Sequence, residues 1–118
     1  MGLIAFLFKL AIAKPVTTAY PEKAILPVRG IRGTPTLVVD RCSLTGACQA
    51  ACPTGAIQVA KDSTGCGSWQ LDYGLCIFCG ACVLACPEGA IVPSDMFELA
   101  VRRREDAVVI HELRPVDD

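Results

Sequence analysis

The stretch CIFCGACVLACPEGAI at residues 76–91 decides the reading of this chain, because CSLTGACQAACPTGAI at 42–57 repeats it. The two copies lie 34 residues apart and agree at ten of sixteen positions. Each reads as a Cys-bearing loop, a short helix over Ala and Cys, a Cys-Pro stop and a Gly-Ala-Ile strand start. The downstream copy is complete, Cys76-x2-Cys79-x2-Cys82-x3-Cys86-Pro87. That is the bacterial iron–sulfur spacing, in which the fourth Cys serves the other cluster. Three thiolates in one tight loop wrap three corners of a cube. The chain then turns into a helix, so its next Cys faces the neighbouring cluster, and Pro prevents the helix from continuing. Gly80 between ligands lets the backbone approach closely, and loop N–H groups can donate to cluster sulfurs and shift the potential.

Other uses of Cys fit poorly. Zinc takes four ligands in pairs with a longer spacer, which a three-Cys loop repeated twice does not supply. Disulfides need no such regularity, and Cys in a three-residue loop pair badly. A CxxC redox motif would explain Cys76 and Cys79 and leave six others without a role.

By the crossing rule, Cys76, Cys79, Cys82 and Cys52 form a full set for one 4Fe-4S cluster. The other cluster receives Cys42, Cys48 and Cys86, and Thr45 stands where the repeat places Cys79. Three outcomes follow for that site: a 3Fe-4S cluster, a 4Fe-4S cluster with a non-Cys oxygen ligand, or recruitment of Cys66. The turn KDSTGCGSW that carries Cys66 reads as a hairpin tip pointing away from the ligand loops, so a free or partner-facing thiol is the favoured role. Loss of one thiolate removes negative charge and raises the potential of that site relative to its neighbour.

Composition agrees with a small cofactor-bearing domain. The chain has 118 residues, eight of them Cys, a net charge of -1 and 6% aromatic residues. This length suits one compact domain, and there is neither the basic stripe nor the stacking platform of a nucleic-acid binder. Mean hydropathy is high, +0.46, yet no apolar run reaches the roughly 18 residues of a membrane span. Residues 1–41 carry six basic side chains against two acids, whereas 42–100 carry Lys61 against five acids. A basic apolar leader ahead of an acidic Cys-rich body is expected to have a separate job.

That leader, MGLIAFLFKLAIAKP, is apolar nearly all round, with Lys9 and Lys14 as its charges. A helix here ends before Pro15 and reaches about 20 Å, short of a hydrocarbon core of roughly 30 Å. It lacks the basic start of a signal peptide, and Phe6 excludes Gly2 myristoylation. An interfacial or partner-docked helix over 1–14 is the favoured reading, ahead of a signal peptide or a core helix. Pro15, Pro21, Pro27 and Pro35 with Gly30 and Gly33 make 15–40 an extended linker spread over another subunit. AIQVA at 56–60 and SWQLDY at 68–73 form a hairpin. The expected fold is α+β, a bacterial-type double-cluster ferredoxin domain over 41–93, followed by a partner-contacting tail over 94–118. Arg102, Arg103 and Arg104 either dock an acidic partner or form a solvated face with Glu105 and Asp106, and His111 reads as a surface residue.

With these elements in place, the sequence resembles the two-cluster ferredoxin subunit shared by respiratory complex I and the related membrane-bound nickel–iron hydrogenases. KPVTTAYP at 14–21 looks like that family's leading element and 42–92 like its double ferredoxin core. GLCIFCGAC at 74–82 and FELAVRRRED at 97–106 look most like the formate hydrogenlyase and hydrogenase-4 type. The resemblance implies catalytic and small hydrogenase-like or complex I-like partner subunits, membrane-arm contacts through residues 1–40, and a peripheral position on the cytoplasmic side of the inner membrane. Thr45 departs from the family's complete first motif. No nucleophile–base pair, phosphate loop or open metal site marks a catalytic centre, so the expected role is electron transfer within an oxidoreductase complex. A free soluble ferredoxin and a redox-sensing or structural subunit are the alternatives.

Overall fold

The computed structural model describes residues 2–14 and 16–114; Pro15 and the 115–118 end of the expected tail lie outside the described residues. Ten apolar-rich residues form α1, Leu3–Ile12, and none of its residues is buried. Residues 16–34 contain no helix or strand. The ordered body begins with β1 at Pro35–Leu37 and a single 3-10 turn at Val39–Arg41, so the end of the stretch expected as linker belongs to the domain instead. The cause is a close approach. Thr34 N–H donates to Met96 O and Ser94 N–H donates to Thr34 O, and a Cβ on Gly33 would lie 2.0 Å from Ser94 O. Only glycine admits that contact.

Each repeat copy gives a five-residue helix followed by a strand: α2 at Ala47–Ala51 with β2 at Ile57–Lys61, then α3 at Ala81–Ala85 with β4 at Ile91–Pro93. Between them runs β3, Gly67–Asp72, antiparallel to β2. β1 pairs with β4, antiparallel, in a separate two-stranded sheet. The result is a small mixed helix-and-sheet domain.

The segment 94–118, expected as a tail on a partner, supplies the third strand of the larger sheet. β5, Val108–Leu113, pairs antiparallel with β3 from Gly67↔Leu113 to Asp72↔Val108, giving the order β2-β3-β5. Arg104 anchors its start through a two-armed ion pair with Asp72. That arginine is engaged within its own chain, while Arg103 meets Asp106 at 3.6 Å on the exposed side. His111 is partly buried rather than on the open surface, because register puts it beside Trp69, ring centroids 5.8 Å apart.

Strand periodicity sorts the larger sheet into two faces. Ile57, Trp69, Leu71 and Leu113 point inward and are buried together with Ala56, Ala90 and Ile91. The Ala-Ile pairs that end each repeat copy thus meet at the centre of the core. Cys48 and Cys82, one from each short helix, are buried in the same cluster.

Candidate metal centre

Both Cys-bearing loops owe their shape to the same unusual backbone. Leu44 and Phe78 stand at equivalent repeat positions with φ of 56° and 54°, and Gly46 and Gly80 follow at 77° and 78°. An L-residue in the left-handed region is disfavoured by about 1–2 kcal/mol. Two consecutive loops holding it at matching positions are built for a purpose beyond chain reversal. The left-handed glycines start α2 and α3, which carry Cys48 and Cys82 inward. At the far end of each helix the pattern repeats again: Ala56 N–H donates to Cys52 Sγ and Ala90 N–H to Cys86 Sγ, both at 3.3 Å.

These loops bring the eight repeat positions to two places. A cavity of about 270 Å3 is lined by Cys52, Cys76, Cys79 and Cys82, with Ile57, Leu71 and Val83 among its apolar walls. A second, much narrower one of about 10 Å3 is lined by Cys42, Thr45, Cys48 and Cys86, with Leu44, Trp69 and Ile91 packed around it. Each place therefore collects three positions of one loop and the last Cys of the other copy. Thr45 occupies in its loop the place that Cys79 has in the other, and both are exposed. Cys66 lines neither. It faces a shallow surface hollow with Lys61, Asp62, Glu112 and Arg114.

The donors suit an iron–sulfur group. All eight Cys are free thiols. Cys52, Cys76, Cys79 and Cys82 line one volume and Cys42, Cys48 and Cys86 another. Burial pushes the Cys82 thiol up to about 11, and it raises Cys48 and Cys76 as well. Buried thiols with raised pKa are poor isolated thiolates, and metal coordination deprotonates them outright. Cys52 differs. Burial raises it too, but the Thr54 hydroxyl and nearby backbone N–H groups outweigh burial and hold it below the ordinary thiol value. Phe78 N–H points at Cys76 Sγ at 3.4 Å. Such N–H donors stabilise the negative sulfur of a cluster ligand.

One further group signals an acceptor in the narrow site. The Trp69 side chain is 1% exposed, and its Nε1 has no hydrogen-bond partner among the described residues. An unsatisfied buried donor costs about 1–3 kcal/mol, so native proteins rarely leave one without reason. Sequence reading treats Trp69 as a strand residue of a hairpin. Its place beside Cys42, Cys48 and Cys86 emerges only from the register of β3.

The loops are held differently. Ser43 N–H donates to Glu88 Oε2 at 2.9 Å, the Ser43 hydroxyl bonds the same carboxylate, and Lys61 Nζ donates to Ser43 O at 3.3 Å. The other loop has exposed Ile77 where the first has Ser43, and Arg32 reaches Cys79 O at 3.4 Å.

Two duplicated loops whose closing Cys residues cross between the sites make an arrangement suited to iron–sulfur clusters, and residues 40–90 match the 4Fe-4S dicluster domain family. Over 59 residues the sequence is 44% identical to the NADH-quinone oxidoreductase subunit I of Carboxydothermus hydrogenoformans, a stretch covering 49% of this chain and 41% of that protein. The fold also matches a chain of the membrane-bound sulfane sulfur reductase, an archaeal respiratory membrane complex, with a TM-score of 0.61 and 33% identity over 86% of this chain and 56% of the other. The chain therefore spans about two fifths of its curated relative's length. No helix among the described residues is long and apolar enough to cross a membrane.

Proposed function

We propose that this chain is the electron-relay subunit of a membrane-associated respiratory complex, related to complex I and to membrane-bound hydrogenases. Cys52, Cys76, Cys79 and Cys82 hold one 4Fe-4S cluster; Cys42, Cys48 and Cys86 hold the other, where one iron takes an oxygen ligand or is missing. When bound, the clusters supply one-electron chemistry, and the protein sets distance, potential and attachment. The observation that carries this reading is the crossing, in which each cavity receives the closing Cys of the opposite copy. Thr45 retains the backbone of a ligand loop while offering a hydroxyl in place of a thiolate.

Attachment rests on α1. Leu3, Ile4, Phe6, Leu7, Phe8, Leu10 and Ile12 are all exposed, an apolar surface that water disfavours and a membrane-arm subunit would cover. This supports a complex over a freely diffusing ferredoxin. In this reading α1 and the segment up to Arg32 lie along the membrane arm at its cytoplasmic side, and catalytic subunits exchange electrons with the dicluster domain.

Iron and sulfide analysis with an EPR-monitored redox titration of the full chain tests the cofactor assignment. Two distinct centres are expected, one of them a complete four-iron cluster; a preparation that binds one centre or none overturns it. Deletion of residues 2–14 tests the attachment: the variant should keep both centres and fail to co-purify with membrane subunits. Unchanged assembly would favour the soluble carrier.

A further inference from the structure

The indole N–H of Trp69 is buried, unpartnered and placed at the wall of the narrow site of Cys42, Cys48 and Cys86, here the first cluster's site, the Cys52, Cys76, Cys79 and Cys82 site being the second. Strand β3 treats the two sites unequally. Alternate residues of its inner face reach one cavity each, Leu71 the second site and Trp69 the first. Leu71 offers no donor. The indole offers one, and it is fixed on three sides, by Val59 across β2, by His111 across β5, and by the core beneath. Its ring lies tilted 43° to that of His111, which leaves the imidazole as packing rather than as an acceptor of the N–H.

Cys48 is the acceptor the geometry favours. It is buried, shares the cavity wall with Trp69, and is carried inward by α2. Both side chains belong to the same buried cluster, so Cys48 is the candidate ligand most deeply enclosed with the indole. Once the sulfur carries negative charge, the attraction for the N–H grows.

We propose that Trp69 Nε1–H donates a hydrogen bond to Cys48 Sγ when that sulfur ligates the first cluster, and thereby raises the reduction potential of this cluster above that of its neighbour. The inference rests on the dicluster reading and adds a positioning residue outside the Cys motifs. An N–H donor stabilises the sulfur more as electron density increases, so it favours the reduced state. It acts in the same direction as the missing thiolate at Thr45.

The test is a redox titration of the reconstituted full chain, wild type against Trp69→Phe, with the second cluster as internal control. The variant keeps an aromatic ring and loses the donor. The first centre's midpoint should fall, changing its ratio of reduced to oxidised forms by up to about tenfold at fixed potential, or 59 mV for a one-electron couple. The second centre should not move. Deuterium exchange should also remove a proton coupling from the first centre's signal in the wild type and leave the variant's signal unaltered at that coupling. Both midpoints unchanged in a fully loaded variant, or both displaced equally, overturns the proposal. Should Trp69→Phe fail to load its first centre, 3-benzothienylalanine at position 69 keeps the shape of indole without the N–H, and its midpoint decides. A wild-type chain that binds no clusters overturns the dicluster reading itself, a result distinct from any of these.

Discussion

Residues 42–57 and 76–91 share a backbone and differ in what surrounds it. Their left-handed residues, helix starts and closing N–H···S contacts agree to within a few degrees or 0.1 Å. Around the first loop, Glu88 and Lys61 fasten Ser43, and Trp69 and Leu44 narrow the cavity. Around the second, Ile77 and Leu84 are exposed and the cavity is wide and apolar. A duplicated ligand loop has thus kept its conformation while its two neighbourhoods diverged. In the dicluster reading proposed above, the shared backbone holds each cluster, and side chains from β3 and from the opposite copy set the difference between them.

The strongest way to break this comparison is to remove a ligand from the complete half. Cys82→Ala should abolish the second centre and lower iron content by about half, while the first centre's EPR signal survives. Loss of both signals would mean that the two halves do not load separately. Next in size, Thr45→Cys should make the halves chemically equivalent. The added thiolate should lower the first centre's midpoint by on the order of 100 mV, within the wide range over which such clusters are tuned, and any three-iron signal should vanish. A midpoint that stays in place would show that Thr45 is not at the open iron.

A smaller effect tests the shared backbone. Gly46→Ala and Gly80→Ala meet nothing within 4 Å, so only the left-handed conformation penalises them. Each should lower stability by about 1–2 kcal/mol, and by similar amounts, as measured by chemical denaturation of the loaded protein. A large inequality would show that one loop relaxes and the other cannot. The mildest change is Glu88→Gln. The Ser43 hydroxyl and N–H hold the Glu88 carboxyl below its ordinary value of 4.5. A depressed pKa means that the clamp is complete above about pH 4.5 and weakens as pH falls through the lowered value. The Gln variant should show a lower amide protection factor at Ser43 at neutral pH, and that factor, taken relative to the intrinsic exchange rate, should no longer fall as pH drops through the Glu88 titration. Unchanged exchange at Ser43 would remove the carboxylate from the account.

Much of the site is legible in the sequence because its ligands are local. Cys-x2-Cys-x2-Cys-x3-Cys-Pro states its own loop and helix, and the mismatch at Thr45 is visible by alignment of the chain with itself. What pairs across distance is less legible. VVIHEL at 108–113 lacks a clean apolar-polar alternation and follows a run of Arg and acidic residues, so it reads as tail. It becomes a strand because β3 presents an unfilled edge and Arg104 finds Asp72. The same holds for β1, three residues in a Pro-rich stretch, which forms against β4 because Gly33 lets the chain approach Ser94 closely. Trp69 carries no sequence mark of its role, since register alone places its N–H at one cavity and Leu71 at the other. The Glu88 clamp was available in principle from the repeat, where PEG replaces PTG, but its partner Ser43 lies in the opposite copy.

The late strand changes which backbone edge of the larger sheet is open. With β5 in place, β3 is an interior strand, paired with β5 along all six of its residues and with β2 along five. Without it, six consecutive backbone positions carrying Trp69 and Leu71 would face outward as a bare template for another chain. With β5 present the open edge on that side is β5 itself, one strand removed from Trp69 and Leu71, and ending the chain at Ala107 should uncover β3 and increase light scattering of the loaded protein.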